Sequence, residues 1–167
     1  KCFFFGSFFL EQLCGGRNGY NYDAVRRITL RAKVDIFEMD KIIIPVSLGN
    51  HWCLACINFS LKRFEYYDSL GSPNDEILRA LRLYLNDEFK NKKGPEGFDV
   101  SSWTNFQPKN IPRQRNGWDC GVFALSYAAY ISRNALFDFD QLDMPAMRAK
   151  ILFEIYQNKP LLLPSEM

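Results

Sequence analysis

A polar octapeptide holding two glycines, Gln114-Arg115-Asn116-Gly117-Trp118-Asp119-Cys120-Gly121, runs straight into an apolar stretch over 122–131. Gly117 and Gly121 flank a turn, and the stretch after it is long enough for a buried helix rather than a strand. The chain must therefore place a thiol in the first turn of a core helix. Unpaired N–H groups and partial positive charge gather there, and both favour thiolate over thiol. A thiolate is the nucleophile of cysteine catalysis. Gln114, six residues earlier, carries an amide donor of the kind an oxyanion hole needs. Alone, such a cysteine is as well explained as a small core hydrophobe, so the rest of the chain decides.

The 167 residues suit a single domain, 1–167, with a real core. Apolar residues make up 47% and charged residues 24%, a globular balance. Net charge is only +2 and no basic stripe stands out, so no nucleic-acid partner is expected. Lys90, Lys92 and Lys93 read as a solvated loop. The longest early apolar run, 3–10, is too short to span a bilayer. Five widely spaced cysteines do not form an evident disulfide framework, which fits a reducing compartment. Cys53 and Cys56 have C-x-x-C spacing but sit in a strand-like run, with one histidine in the chain and no second pair. They read as packing, with no metal site and no cofactor.

In chain order, Asn21 caps a helix over 22–32 with Val25 and Ile28 inward. A strand over 42–48 contains Pro45, which predicts an edge or a bulge. A second strand over 52–59 is apolar on both faces and hence central. A third covers 63–67, completing an antiparallel meander. Ser72 and Pro73 open a helix with Ile77, Leu78, Leu81, Leu85 and Phe89 on one face. A short strand follows over 103–106, then the Cys120 helix. Asp143 and Pro145 open a last helix with Met147, Ile151 and Ile155 inward, and Pro160 stops it. The class is α+β: a central mixed or antiparallel sheet flanked by helices, with the nucleophile at a helix N-terminus.

A thiolate nucleophile needs a base, and the base an orienting group. His51 is the one imidazole in the chain, where the Gly49-Asn50 turn enters the central strand. Asp68 ends the next strand. If 52–59 and 63–67 form a hairpin, His51 and Asp68 lie side by side at one sheet end, where the carboxylate can hold the imidazole tautomer.

His51-Trp52, Tyr67-Asp68-Ser69 and Gln114-x-Asn116-x-x-Asp119-Cys120-Gly121, in that order, resemble the Ulp/SENP cysteine proteases that deconjugate SUMO. The likeness extends to Gly19-Tyr20, Ile43-Ile44-Pro45-Val46, Trp103-Thr104, Ile111-Pro112, and Met144-Pro145 with Arg148. It implies a papain-like fold with Cys120 as nucleophile, His51 as base and acid, Asp68 as orienter and Gln114 as oxyanion donor. It also implies that Trp52 roofs a narrow tunnel for the modifier's C-terminal Gly-Gly, with Leu70 lining it. The partners implied are SUMO and SUMO-conjugated proteins, for a monomeric enzyme of the nucleus or nuclear envelope, with cytoplasm also open. The family's domain starts with a further segment, so the resemblance implies a catalytic domain incomplete at its N-terminus. Three rivals keep the same residues: action on another modifier such as Nedd8, an effector-type acetyltransferase, and a binding module that holds the tail without cutting it.

Overall fold

The computed structural model describes residues 1–15 and 19–158. Five strands form one sheet in the order of the chain: β1 (Cys2–Phe4), β2 (Lys41–Ser47), β3 (Trp52–Asn58), β4 (Arg63–Tyr67) and β5 (Thr104–Phe106). The antiparallel meander spans β2, β3 and β4, and a parallel strand on each side makes the sheet mixed. β3 is central, with every residue after Trp52 buried.

Alternation along the strands explains why β3 is apolar on both faces. Ile42, Ile44, Val46, Cys53, Ala55 and Ile57 share one core with helices α1 (Phe9–Cys14) and α3 (Asp75–Lys92). Ile43, Leu54 and Cys56 share the other with α4 (Cys120–Ser132) and α5 (Met144–Gln157). A strand covered on both faces needs apolar residues at every position. Pro45 satisfies its edge requirement inside β2. β1 pairs only with Lys41–Ile43, and the Phe5 N–H donates to Ile43 O. Two residues on, on the same side of β2, Pro45 lies past the end of β1, where no ladder bond is lost.

Several local expectations are corrected. The helix expected over 22–32 is a 3₁₀ turn at Tyr22–Ala24 followed by the short α2 (Ile28–Ala32), and the Asn21 side chain makes no capping bond. Asn74, not Ser72, caps α3, accepting from the Ile77 N–H at 3.1 Å. Proline therefore precedes the cap rather than opening the helix. Lys90 and Lys92 belong to the last turn of α3, where cations suit the helix dipole, and Lys93 pairs with Asp35. Ile155 is 72% exposed, not inward, whereas Met147 and Ile151 pack on the core. The expected loop at 15–19 and the stop at Pro160 lie partly or wholly outside the described residues.

Sequence periodicity also missed Glu88, which is buried on the inner side of α3. It is tolerated because the hydroxyls of Tyr22 and Thr29 both donate to it at 2.5 Å. Leu81 is fully buried between α3 and the sheet. Leu81→Ala should lower the unfolding free energy by about 2–5 kcal/mol, measured by urea titration.

Candidate active site

The β2–β3 hairpin delivers the imidazole. Ser47 pairs with Trp52, the Leu48 N–H donates to His51 O at 2.9 Å, and Gly49 takes a positive φ of 85° to close the loop. The β3–β4 hairpin delivers the carboxylate. Leu54 pairs with Tyr67, so the next antiparallel step sets Cys53 opposite Asp68. His51 Nε2 meets Asp68 Oδ1 at 2.6 Å. That contact occupies one ring nitrogen and leaves Nδ1 as the nitrogen free to serve a thiol. As an acceptor, the ionised carboxylate selects the tautomer with the proton on Nε2.

Asp68 is 4% exposed and its remaining oxygen capacity is filled by the chain itself. The Leu70 N–H donates to Oδ1 at 2.8 Å and the Ser72 N–H to Oδ2 at 3.0 Å. The turn closes with the Gly71 N–H donating to Asp68 O at 3.0 Å. A buried carboxylate with three donors is held in place without a counter-ion.

Cys120 opens α4 and is 7% exposed, on the wall of an apolar groove of about 790 Å³. Trp52, Trp118, Leu54 and Arg148 line the same groove. Trp52 faces α4: a Cβ placed on Gly121 would lie 3.8 Å from its indole Cδ1. The residue after the imidazole thus sits against the residue after the thiol. Cys53 links the two sides from within. Burial pushes its thiol up to about 12, and the Asp68 carboxylate and Cys120 act in the same direction. A thiol so disposed stays protonated, whereas Cys120 stands at a helix N-terminus and on the groove.

The segment over 113–116 ties Gln114 to the same unit. The Ser69 hydroxyl donates to Gln114 Oε1 at 2.6 Å, and the Gln114 N–H donates to Ser69 O at 3.1 Å. Gln114 Nε2 donates one hydrogen to Asn116 O at 2.6 Å, leaving its second hydrogen for another acceptor. Ser69, which the residue reading did not single out, fixes which way this amide lies; its place beside Asp68 in the motif was the available signal.

Leu70 is 58% exposed on the turn and lies outside the groove lining, and its N–H donates to Asp68. His51, Cys53 and Asp68 present possible metal-ligand atoms within 4.8 Å of one another. The histidine and the carboxylate are bonded to each other, and the thiol would have to lose a strongly held proton.

Before the helix, Asn116 and Asp119 build the turn that presents Cys120. Asn116 Oδ1 accepts from the N–H groups of Trp118 and Asp119 at 3.2 and 3.1 Å. Asp119 accepts from Asn116 Nδ2 at 2.7 Å, Gln141 Nε2 at 2.8 Å and Arg148 Nη2 at 2.6 Å. Nothing in the sequence marked Gln141, since only the tertiary fold brings it here. The bond from Asn116, then those from Arg148 and Gln141, hold the Asp119 carboxyl below its ordinary range. A lowered native value stabilises the fold fully above the unfolded value of about 3.9, and that stabilisation disappears as pH falls through the native value. Asp119→Asn should therefore destabilise the protein at pH 7, and the gap from wild type should close as urea titrations are carried below about pH 4.

Known proteins share the fold and much of the sequence of this chain. Residues 1–160 match the Ulp1 protease family, C-terminal catalytic domain. The chain is 40% identical over 161 residues to ubiquitin-like-specific protease 1A of Arabidopsis thaliana, covering 95% of this chain and 32% of that protein. It is 40% identical over 159 residues to a sentrin-specific protease of Caenorhabditis elegans, covering 95% and 22%. It therefore spans between about a fifth and a third of the length of these relatives. The solved C-terminal Ulp1 protease domain in complex with Smt3, the yeast ortholog of SUMO, superposes with a TM-score of 0.78 at 33% identity, covering 94% of this chain and 68% of that one. Fold and sequence together make this chain a member of the Ulp1 protease family, with residues 1–160 matching its C-terminal catalytic domain.

Proposed function

We propose that this domain is a thiol isopeptidase that cleaves after the C-terminal Gly-Gly of a SUMO-type modifier, freeing it from lysine side chains or maturing its precursor. The observation that carries the reading is the 2.6 Å contact between His51 Nε2 and Asp68, which leaves Nδ1 for the Cys120 thiol. Support for the substrate comes from the relatives: the yeast domain was solved with a SUMO ortholog, and the plant and nematode proteins are named as proteases of ubiquitin-like modifiers and sentrin.

In the proposed reaction His51 takes the Cys120 proton, and the thiolate attacks the glycine carbonyl carbon. The developing oxyanion is met by the Cys120 N–H and the second hydrogen of Gln114 Nε2. The carbonyl re-forms, the C–N bond breaks, and the imidazolium gives its proton to the leaving lysine amine. The same imidazole then takes a proton from water, which attacks the thioester and releases the modifier with a free carboxylate. Asp68 stabilises each imidazolium without itself accepting the proton. Trp52 closes over the chain entering the site. The indole lies 3.8 Å from where a Cβ on Gly121 would stand, so it sits close to the residue after the thiol, as a roof over a Gly-Gly tail would.

No described helix is long and apolar enough to cross a membrane. Action within the nucleus or at its envelope, and as a monomer, remains part of this proposal by likeness to the family.

The decisive assay uses SUMO, Nedd8 and ubiquitin, each bearing a C-terminal electrophile. A covalent adduct with SUMO alone, lost in Cys120→Ala, is expected. An adduct only with Nedd8 would reassign the modifier, and none with any would favour a binding module. In turnover of a SUMO fusion, Gln114→Ala should cost about 10²–10³-fold. Asp68→Asn should cost on the order of 10²–10⁴-fold while circular dichroism stays native.

A further inference from the structure

The triad places no demand on Arg113, yet this side chain is built into the back of the site. Arg113 Nη1 donates to the main-chain oxygen of Asp68 at 2.7 Å, and Nη2 donates to Lys109 O at 3.0 Å. Its guanidinium lies flat against Gly71, where a Cβ would come within 2.9 Å of Cζ. Gly71 has φ of +90°, so both its backbone and its missing side chain are required there. This is the turn whose N–H groups at Leu70 and Ser72 hold the Asp68 carboxylate.

The next residue in the chain is Gln114, bonded through backbone and side chain to Ser69 of the same turn. Pro112, on the other side, accepts from the Tyr127 hydroxyl of α4, the helix that carries Cys120. One short segment, 112–114, therefore touches the carboxylate turn, the oxyanion amide and the nucleophile's helix.

We propose that Arg113 is a positioning residue for the reaction. It clamps the 68–72 turn so that Asp68 faces the imidazole and Gln114 faces the oxyanion. The proposal rests on the triad assigned under Proposed function. The clamp acts on geometry alone, since Arg113 touches neither His51 nor Cys120 in its bonds, and it exchanges no proton. A planar fork is needed because two carbonyl oxygens on separate loops, Asp68 and Lys109, are held at once. A single ammonium is a point donor and cannot reproduce that fork. Displacing a catalytic group by about 1 Å costs on the order of 10²-fold in rate, so a loosened turn is felt in turnover even where binding is intact.

The experiment compares wild type, Arg113→Ala and Arg113→Lys in two assays. One is steady-state cleavage of a SUMO fusion. The other is the rate of Cys120 alkylation by iodoacetamide, which needs no modifier. In Arg113→Ala, kcat is expected to fall on the order of 10–10²-fold with KM near wild type, and alkylation to slow as well. Arg113→Lys should recover part of both by keeping the bond to Asp68 O. Wild-type kcat in Arg113→Ala, or a raised KM with kcat unchanged, would overturn the clamp. If Arg113→Ala does not fold, the lysine variant decides: full wild-type kcat and alkylation rate there overturn the need for a fork. If wild type alkylates rapidly but cuts no SUMO, the substrate assignment fails. The clamp then still stands or falls on whether Arg113→Ala slows alkylation.

Discussion

The site depends on one buried carboxylate. Asp68 is shut away from water, and a charge in that position survives only if every lone pair in reach finds a donor. Two donors come from its own turn and one from the imidazole, while its main-chain oxygen is held by Gly71 and Arg113. This arrangement does more than keep Asp68 stable. The donors from the turn take the directions that would let the carboxylate rotate, so the remaining direction points at His51. The tautomer of the imidazole follows, and with it the nitrogen offered to the thiol.

Rigidity of this kind comes from the sheet. β3 and β4 are central strands packed on both faces, and their register leaves little freedom to slip, since a one-residue shift would turn Ile57, Ala55 and Cys53 toward the wrong core. His51 and Asp68 stand just beyond the paired residues, at the same sheet end. Cys120 arrives separately, on a helix that packs against one face of the sheet through Phe123 and Tyr127. The groove runs between α4 and the strands β2 and β3, with Cys120 and Trp52 on its walls. Its walls are apolar, and Trp118 on its rim is exposed.

The two thiols near the site illustrate how environment rather than residue type assigns a role. Cys53 and Cys120 are both buried, and Cys53 lies beside Asp68. Cys53 lies inside the sheet, where burial and a carboxylate suppress ionisation. Cys120 lies at the N-terminus of a 13-residue helix and on a groove wall.

By itself, the sequence determined the parts with a local or pairwise cause. Strand alternation, the hairpin spacing between His51 and Asp68, the turn-to-helix junction at Cys120 and the ordered motifs were enough to identify the class, the family and the four catalytic candidates. It was weaker where competing local signals overlap, as at Ser72, Pro73 and Asn74, which are all plausible helix starters. It also failed where a polar residue lies on an apolar face, as Glu88 does, because its hydroxyl partners come from another part of the chain. Only the tertiary structure decided that Arg113, Ser69, Gln141 and Arg148 brace the site. Each acts through a bond to a residue between 22 and 45 positions away, and neither periodicity nor spacing carries information about such encounters. Hydrogen bonds between distant segments are set by how the layers pack, which the order of residues encodes only through the whole fold.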